Sequence, residues 1–442
     1  MKTLLLLNLF ISALLLNSSS SQGKQLLCGK GSSLPNIQTA LNNALPGDTI
    51  FVQSGHYKQG NLFINKSLTF LADKNVILDG ENKHEIITVT SNQVCIKGFT
   101  IINSGVMSTK DLAGIKLLAC RNVVLENNNV NNCNFGIYLS NTKQCVLREN
   151  IVKGNVLNDP NTGNGIHVWK ADSIQIIKNE STGQRDGIYF EFVTNSTIFD
   201  NFSHENLRYG LHFMFSHSNT YTNNQFTKNG AGVAVMYSHH VKMYHNSFDH
   251  NWGSSAYGIL LKDISDSEVM FNKFEYNSAG IYMEGSNRIK MEQNSFYNNG
   301  WALRIQASCT DNSILLNNFI GNTFDVSTNG ETQLNNFTKN YWDKYEGYDL
   351  NKDGSGDIPY RPVSLFSMII EQLPPSLLLI RSFMVYLMDK AEKIIPSLTP
   401  VHLMDEFPQM RMIKFTEAKK AISSSIINLH YQPKLNIQYL KT

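Results

Sequence analysis

Two stretches carry the residue types best suited to chemistry, RYGLHFMFSHSN at 208–219 and GAGVAVMYSHHV at 230–241. At an offset of 22 residues Gly210 falls on Gly232, Met214 on Met236 and His217 on His239. Thioether sulfur and imidazole nitrogen are ligands that Cu(I) prefers, so a recurring Met and His is a pattern for copper contact. Alternate side chains of a strand share a face, which puts His212 and Met214 on one side. Met236 joins them if the offset is the length of a stacked coil. Met214, Met236, His212, His217 and His239 are therefore the candidate copper ligands, with His240 beside the corner pair. The same residues also suit a partner-docking surface edged by solvated corner histidines. His167 with Trp169 reads as a binding-surface pair, and His245 and His250 in HNSFDHN as corner packing.

A second pattern lies in NYWDKYEGYDLNKDGSGDIPYRP at 340–362. Asp349, Asn351, Asp353, Ser355 and Asp357 alternate oxygen-bearing side chains around Gly354, as calcium loops do, and Asp349, Asn351, Asp353 and Asp357 are the candidate calcium ligands. The twelfth position from Asp349 is Tyr360, where such a loop uses a bidentate Glu. The alternative is a Gly-rich turn whose carboxylates accept from backbone amides and close the C-terminal end of the fold.

The elements that must position these residues repeat. Gly-aliphatic pairs open at Gly114, Gly136, Gly165, Gly187, Gly210, Gly232, Gly258 and Gly280, mostly 22 residues apart. One Asn column runs from Asn128 through Asn150, Asn179, Asn201, Asn224, Asn246, Asn272 and Asn294 to Asn317, and a second from Asn206 to Asn322. Phe226, Phe248, Phe274, Phe296 and Phe319 follow the first column by two residues. Three short alternating stretches per unit, without a helical period, predict an all-β, right-handed parallel β-helix of about 22-residue coils with three strands each. Stacked Asn would bond along the axis and take left-handed φ at the corners, with the Phe column inside. The aliphatic after each Gly must point inward, which sends outward Tyr138 and Ser140, His167 and Trp169, Tyr189 and Glu191, His212 and Met214, Ala234 and Met236, Leu260 and Lys262, Tyr282 and Glu284, and Arg304 and Gln306. SLPNIQTALNNALPGD, with Ile37, Ala40, Leu41 and Ala44 on one face, predicts a helix that caps the first coil.

Met1–Gly23 reads as a secretory signal, with Lys2 before an apolar run too short to span a bilayer. Residues 24–362 form the capped solenoid and 363–442 a helical tail. Glu371, Pro374, Pro375 and Arg381 interrupt the apolar part of that tail, which makes it a poor spanning helix and suits docking to a partner or membrane surface, with packing on the solenoid as the alternative. Cys28, Cys95, Cys120, Cys133, Cys145 and Cys309 read mostly as small core fillers, with disulfides left open. A net charge of +2 and a charged fraction of 17% give no basis for nucleic-acid binding.

Parallel β-helices often act on polysaccharides, so a lyase or glycosidase is the rival class. It lacks support here: Glu191 and Glu284 lie several coils apart, NRIK at 287–290 has no accompanying acid pair, and Arg185, Asp186 and Glu191 read as a surface salt-bridge group. An adhesin would show long Thr columns or a wall anchor, and neither is visible.

The exit from the signal, PGDTIFVQSGHY, RDGIYF, RYGLHFMFS, GAGVAVMYS and the NYWD segment together resemble the NosD family of periplasmic accessory proteins for nitrous-oxide reductase maturation. The resemblance implies a non-enzymatic β-helix in the periplasm. It would be held at the inner membrane by an ABC-type ATPase and membrane permease subunit, and would help assemble the reductase's copper-sulfide centre with copper from a periplasmic chaperone. The apolar tail would dock on the membrane subunit. The chain has no phosphate-binding loop, so ATP hydrolysis falls to the partner. The copper candidates rest on the geometry above and not on the resemblance.

Overall fold

Backbone hydrogen bonds run from each coil to the next, so the chain climbs in a single direction and every strand pairs in parallel. The computed structural model describes residues 23–107, 109–155, 163–330, 334–395, 399 and 403–415. Apart from Gly23, the expected signal segment lies outside these. Three sheets of 14, 12 and 13 strands form the faces of a right-handed parallel β-helix. One coil contains Tyr209–Met214, Thr220–Thr222 and Gln225–Thr227, and the next contains Ala231–Met236, Lys242–Tyr244 and Ser247–Asp249.

The core is built of side-chain columns. Phe226, Phe248, Phe274, Phe296 and Phe319 are buried and stack with centroids 4.8–5.4 Å apart, ending on Trp342 at 4.0 Å. This stack explains the Gly column: a Cβ on Gly210 would lie 2.7 Å from the carbonyl oxygen of Gly232 and 2.8 Å from the Phe226 ring. Close approach, rather than backbone conformation, therefore demands glycine there.

The Asn column differs from expectation in one respect. Its members are buried, and the left-handed residues are those just before them, such as Asp200, Asn223, His245 and Phe271. The physical reason is that the corner residue turns the chain while the following Asn points inward to satisfy the backbone exposed by that turn. Asn224 donates from its backbone N and from Nδ2 to Asn246 Oδ1 at 2.9 and 3.0 Å, and from Nδ2 to the carbonyl of Ile198 at 3.0 Å. Asn201 makes the same pair of bonds to Asn224 Oδ1. At the C-terminal end Asp405 takes the place of the next Asn, accepting from the backbone N and Nδ2 of Asn340 and from Trp342 Nε1.

Helix α1 (Ile37–Asn43) covers the first coil with buried Ile37, Ala40 and Leu41, and Asn36 accepts from the Thr39 amide as its N-cap. Helix α2 (Leu365–Gln372) packs Phe366 and Ile370 on Phe324. Glu371 grips the guanidinium of Arg304 through bonds of 2.8 and 2.9 Å and accepts from Ser327. Part of the tail thus belongs to the solenoid. Helix α3 (Phe383–Ile394) and the turn before it leave Leu378, Phe383 and Ile394 89%, 73% and 79% exposed. The six cysteines are buried and unpaired, as core fillers.

On the outer face of the 12-stranded sheet, Tyr138, His167 and Tyr189 stack at 4.7 and 4.8 Å. Burial, and then the Arg185 charge, push His167 down to about 4. Its folded form therefore binds fewer protons than the unfolded chain below about pH 6.5, so stability is lost as pH falls from there towards 4. Denaturation curves across that range should show a decline that His167→Gln flattens. In the Asn column, Asn224→Ala should cost about 3 kcal/mol by stranding the Asn201 donors, whereas Gln225→Ala, at an exposed position, should cost under about 0.5 kcal/mol by the same measurement.

Candidate functional site

The strands Ile166–Asp172, Asp186–Thr194, Tyr209–Met214 and Ala231–Met236 lie side by side on the 12-stranded sheet. Their register places Met214 directly beside Met236, with Glu191 on one side of the pair and Lys262 on the other. Adjacent parallel strands are about 4.8 Å apart, so two thioethers on flexible stems face outward within reach of a single ion. Both methionines are partly exposed.

His212 stands two residues before Met214 on the same face, but it is buried at 4% exposure where sequence reasoning expected an open position. Tyr189 from the previous coil meets its ring edge-on at 5.0 Å, Tyr209 lies at 4.8 Å, and its neighbour in the next coil is the small, buried Ala234. Ser140 and Leu260 of the same face are also buried. Outward direction alone therefore did not determine exposure, because rings such as Tyr189 and Tyr209 pack against an outward side chain.

Asp186, fully buried, accepts from Arg208 Nε at 2.8 Å and from a second guanidinium nitrogen, and lies 3.4 Å from His212 Nδ1. Burial opposes its charge, but Arg208 and His212 outweigh that and hold the carboxyl below the usual carboxylate range. An ionised carboxylate at Nδ1 favours a proton on that nitrogen, so Nε2 is the ring nitrogen left to accept or to ligate. His212 Nε2 is buried and has no hydrogen-bond partner. A carboxylate behind a histidine whose other nitrogen is unpartnered is the arrangement by which proteins orient metal-binding imidazoles.

This corrects the reading of Arg185, Asp186 and Glu191 as a surface salt-bridge group. Arg185 turns to Asn164 at 3.3 Å, while Asp186 turns inward to the next coil. Coil stacking pairs Asp186 with Tyr209, which brings Arg208 and His212 to it. Aligning RDGIYF over RYGLHF coil by coil was the signal that could have found the contact. Glu191 and Glu284 are separated by Met214, Met236 and Lys262 in register, four strand spacings or roughly 19 Å, well beyond a glycosidase carboxylate pair.

His217 and His239 stack at 3.9 Å on the following corner, and His239 Nδ1 lies 2.7 Å from His240 Nδ1. Burial, then the two neighbouring imidazoles, hold His217 below its ordinary value. Buried Ser216 and Ser238 separate these corner histidines from the methionine strands in sequence. Sequence reasoning overlooked Phe192, Phe215 and Tyr237, which stack at 5.3 and 5.0 Å while 45%, 37% and 38% exposed. All three hold left-handed φ of 48–54°, which costs on the order of 1 kcal/mol each for bulky side chains. They immediately follow the column of Glu191, Met214 and Met236 and extend it with an apolar edge. His245 and His250 pack on Phe271 and Tyr276 at their corners.

In the 349–357 loop, Asp349 accepts from the amides of Asp353 and Gly354 at 3.2 and 2.9 Å, Asp353 from Ser355 at 2.8 Å, and Asp357 from Leu350 at 2.6 Å. Asn351 accepts from the Asp353 amide at 2.9 Å. These oxygens are engaged within the turn itself. Among the described residues no group of three or more His, Cys, Asp or Glu is arranged to hold a metal ion.

Residues 156–347 match a family model described as "Periplasmic copper-binding protein (NosD)", and residues 42–180 one described as "Right handed beta helix region". Two curated relatives, each named "Probable ABC transporter binding protein NosD", align over most of the chain. The one from Pseudomonas aeruginosa is 29% identical, covering 81% of this chain and 87% of its own. The one from Stutzerimonas stutzeri is 24% identical, covering 88% and 92%. Among solved structures, the catalytic domain of a GH87 alpha-1,3-glucanase matches 74% of this chain and 70% of its own with a TM-score of 0.56 at 11% identity. The Dettilon tailspike protein matches 68% and 66% with a TM-score of 0.51 at 12% identity. At such identities these two share the fold alone. The match to the copper-binding family model over residues 156–347 and the matches to both relatives agree, and the chain is similar to NosD proteins over most of its length.

Proposed function

We propose that the protein is a periplasmic, non-enzymatic accessory factor for maturation of nitrous-oxide reductase that receives copper on the outer face of its 12-stranded sheet. The observation that carries this reading is the buried His212 imidazole, held by Asp186 with Nε2 free, two residues from Met214 and beside the coil of Met236. Copper is cargo here. Two thioethers and one neutral imidazole suit Cu(I), and labile thioether contacts favour release to a receiving site. The exposed Phe192, Phe215 and Tyr237 edge would seat the chaperone that donates the ion or the reductase that accepts it. His217 and His239 would offer a second nitrogen pair at the rim.

The relatives' names include an ABC transporter. On this reading an ABC-type ATPase and its membrane permease subunit hold the protein at the inner membrane through the tail. None of the described helices is long and apolar enough to cross a membrane. The exposed Leu378, Phe383 and Ile394 give the tail an apolar surface for docking. The Arg304–Glu371 clamp then ties that docking element to the same sheet face that carries the methionines.

Anaerobic Cu(I) titration of the mature protein against a competing chelator tests the copper reading. One equivalent should bind, and Met214→Ala with Met236→Ala should weaken binding at least about tenfold. Equal competition by wild type and double variant contradicts it. Replacing Leu378 and Phe383 by Asp should abolish co-purification with the membrane permease subunit while leaving the copper titration unchanged. Retained co-purification would remove the tail from the interface.

A further inference from the structure

At the C-terminal end of the solenoid a cavity of about 1290 Å³ opens between the last coils and the tail, away from the methionine strands. Phe324, Tyr345 and Tyr360 line it from the solenoid, and Phe366 and Tyr386 from the tail. Asp325 also lines it and is 3% exposed. Its polar contacts are one-sided. Tyr360 donates its hydroxyl to Oδ2 at 3.3 Å, and Lys344 Nζ lies 3.4 Å from the same oxygen. Oδ1 is buried and has no partner.

Lys344 is a weak counter-ion for this carboxylate. Its ammonium makes its short bonds to the carbonyls of Asn322 and Thr323, at 2.7 and 3.1 Å, and reaches Asp325 only at a longer distance. The result is a buried carboxyl that burial pushes up to about 6. A buried carboxylate oxygen without a donor is destabilising, so such a group is best accounted for where something supplies the missing donor. Four acidic and four basic residues line the cavity as a whole, so its overall field is close to neutral and the local deficit at Asp325 decides what fits.

We propose that this cavity binds a guanidinium or primary ammonium group, which donates to Asp325 Oδ1 while its apolar stem lies against the surrounding aromatic rings. Aromatic faces attract such cations and the carboxylate fixes their direction. The same chemistry is available from a free small amine or from an Arg or Lys side chain on a partner segment. The cavity is of a size that admits either.

Isothermal titration of the mature full-length protein distinguishes them, using butylguanidinium in one arm and an N-acetylated, C-amidated Gly-Arg-Gly peptide in the other. At least one probe should bind, and Asp325→Asn, which keeps the shape and removes the charge, should weaken it roughly tenfold. Binding of butylguanidinium alone identifies a small-molecule site, and tighter binding of the peptide identifies a partner's side chain. Lys344→Met removes the competing cation and should tighten the preferred probe several-fold, which keeps the test decisive if Asp325→Asn lowers the melting temperature. The proposal is overturned if neither probe binds at about 10 mM, if Asp325→Asn binds as wild type does, or if Lys344→Met leaves affinity unchanged or lower.

Discussion

The register between successive coils is the constraint on which the rest of this molecule depends. It is held from within by the Asn column, whose buried amides bond to the next member and to strand carbonyls. An Asn can do this because its amide both accepts and donates in one short side chain. The column needs an acceptor at its open end, and Asp405 supplies one from the tail. A carboxylate suits that position because the groups that bond to it, the amides of Lys339, Asn340 and Phe407, Asn340 Nδ2 and Trp342 Nε1, are all donors. The last coil is thereby covered by segments distant in sequence, which protects an edge that would otherwise pair with another chain.

Once register is fixed, outward side chains stand in columns at one strand spacing, and chemistry can be assembled across coils. The 12-stranded sheet uses this twice. It brings Asp186 of one coil to Arg208 and His212 of the next, and it sets Met214 against Met236. The first is a buried, hydrogen-bonded set that fixes a ring. The second is a soft pair left partly open. A rigid nitrogen donor beside adaptable sulfur suits an ion that must bind and then leave. Apolar Phe192, Phe215 and Tyr237 then edge the same columns, so the face that would hold the ion also has the surface that a protein partner would cover.

The fold was legible in the sequence because its determinants recur at one period: a Gly where the Phe stack approaches, an inward aliphatic, an Asn after each corner. Met214 beside Met236 followed from that period alone. What was not legible depended on side-chain size and reach between coils. Asp186 looked like a surface charge because its partners come 22 and 26 residues later, and His212 looked exposed because outward direction says nothing of the rings of Tyr189, its counterpart one coil earlier, and Tyr209, three residues before it, which pack against it. The aromatic edge was hidden for a different reason. Phe192, Phe215 and Tyr237 occupy left-handed corners where small or polar residues are normal, so their apolar character ran against the local rule. The tail was legible as apolar and interrupted, but its division into a segment that closes the solenoid and one that remains exposed arises from contacts such as Arg304 with Glu371, which no spacing announces.

The most direct test of the account is X-ray absorption at the copper edge on anaerobically Cu(I)-loaded mature protein, compared with His212→Gln. The account predicts a first shell of thioether sulfur with one imidazole nitrogen, and loss of the imidazole signature with sulfur retained in the variant. A shell of nitrogen or oxygen without sulfur, or a spectrum that His212→Gln leaves unchanged, would contradict it.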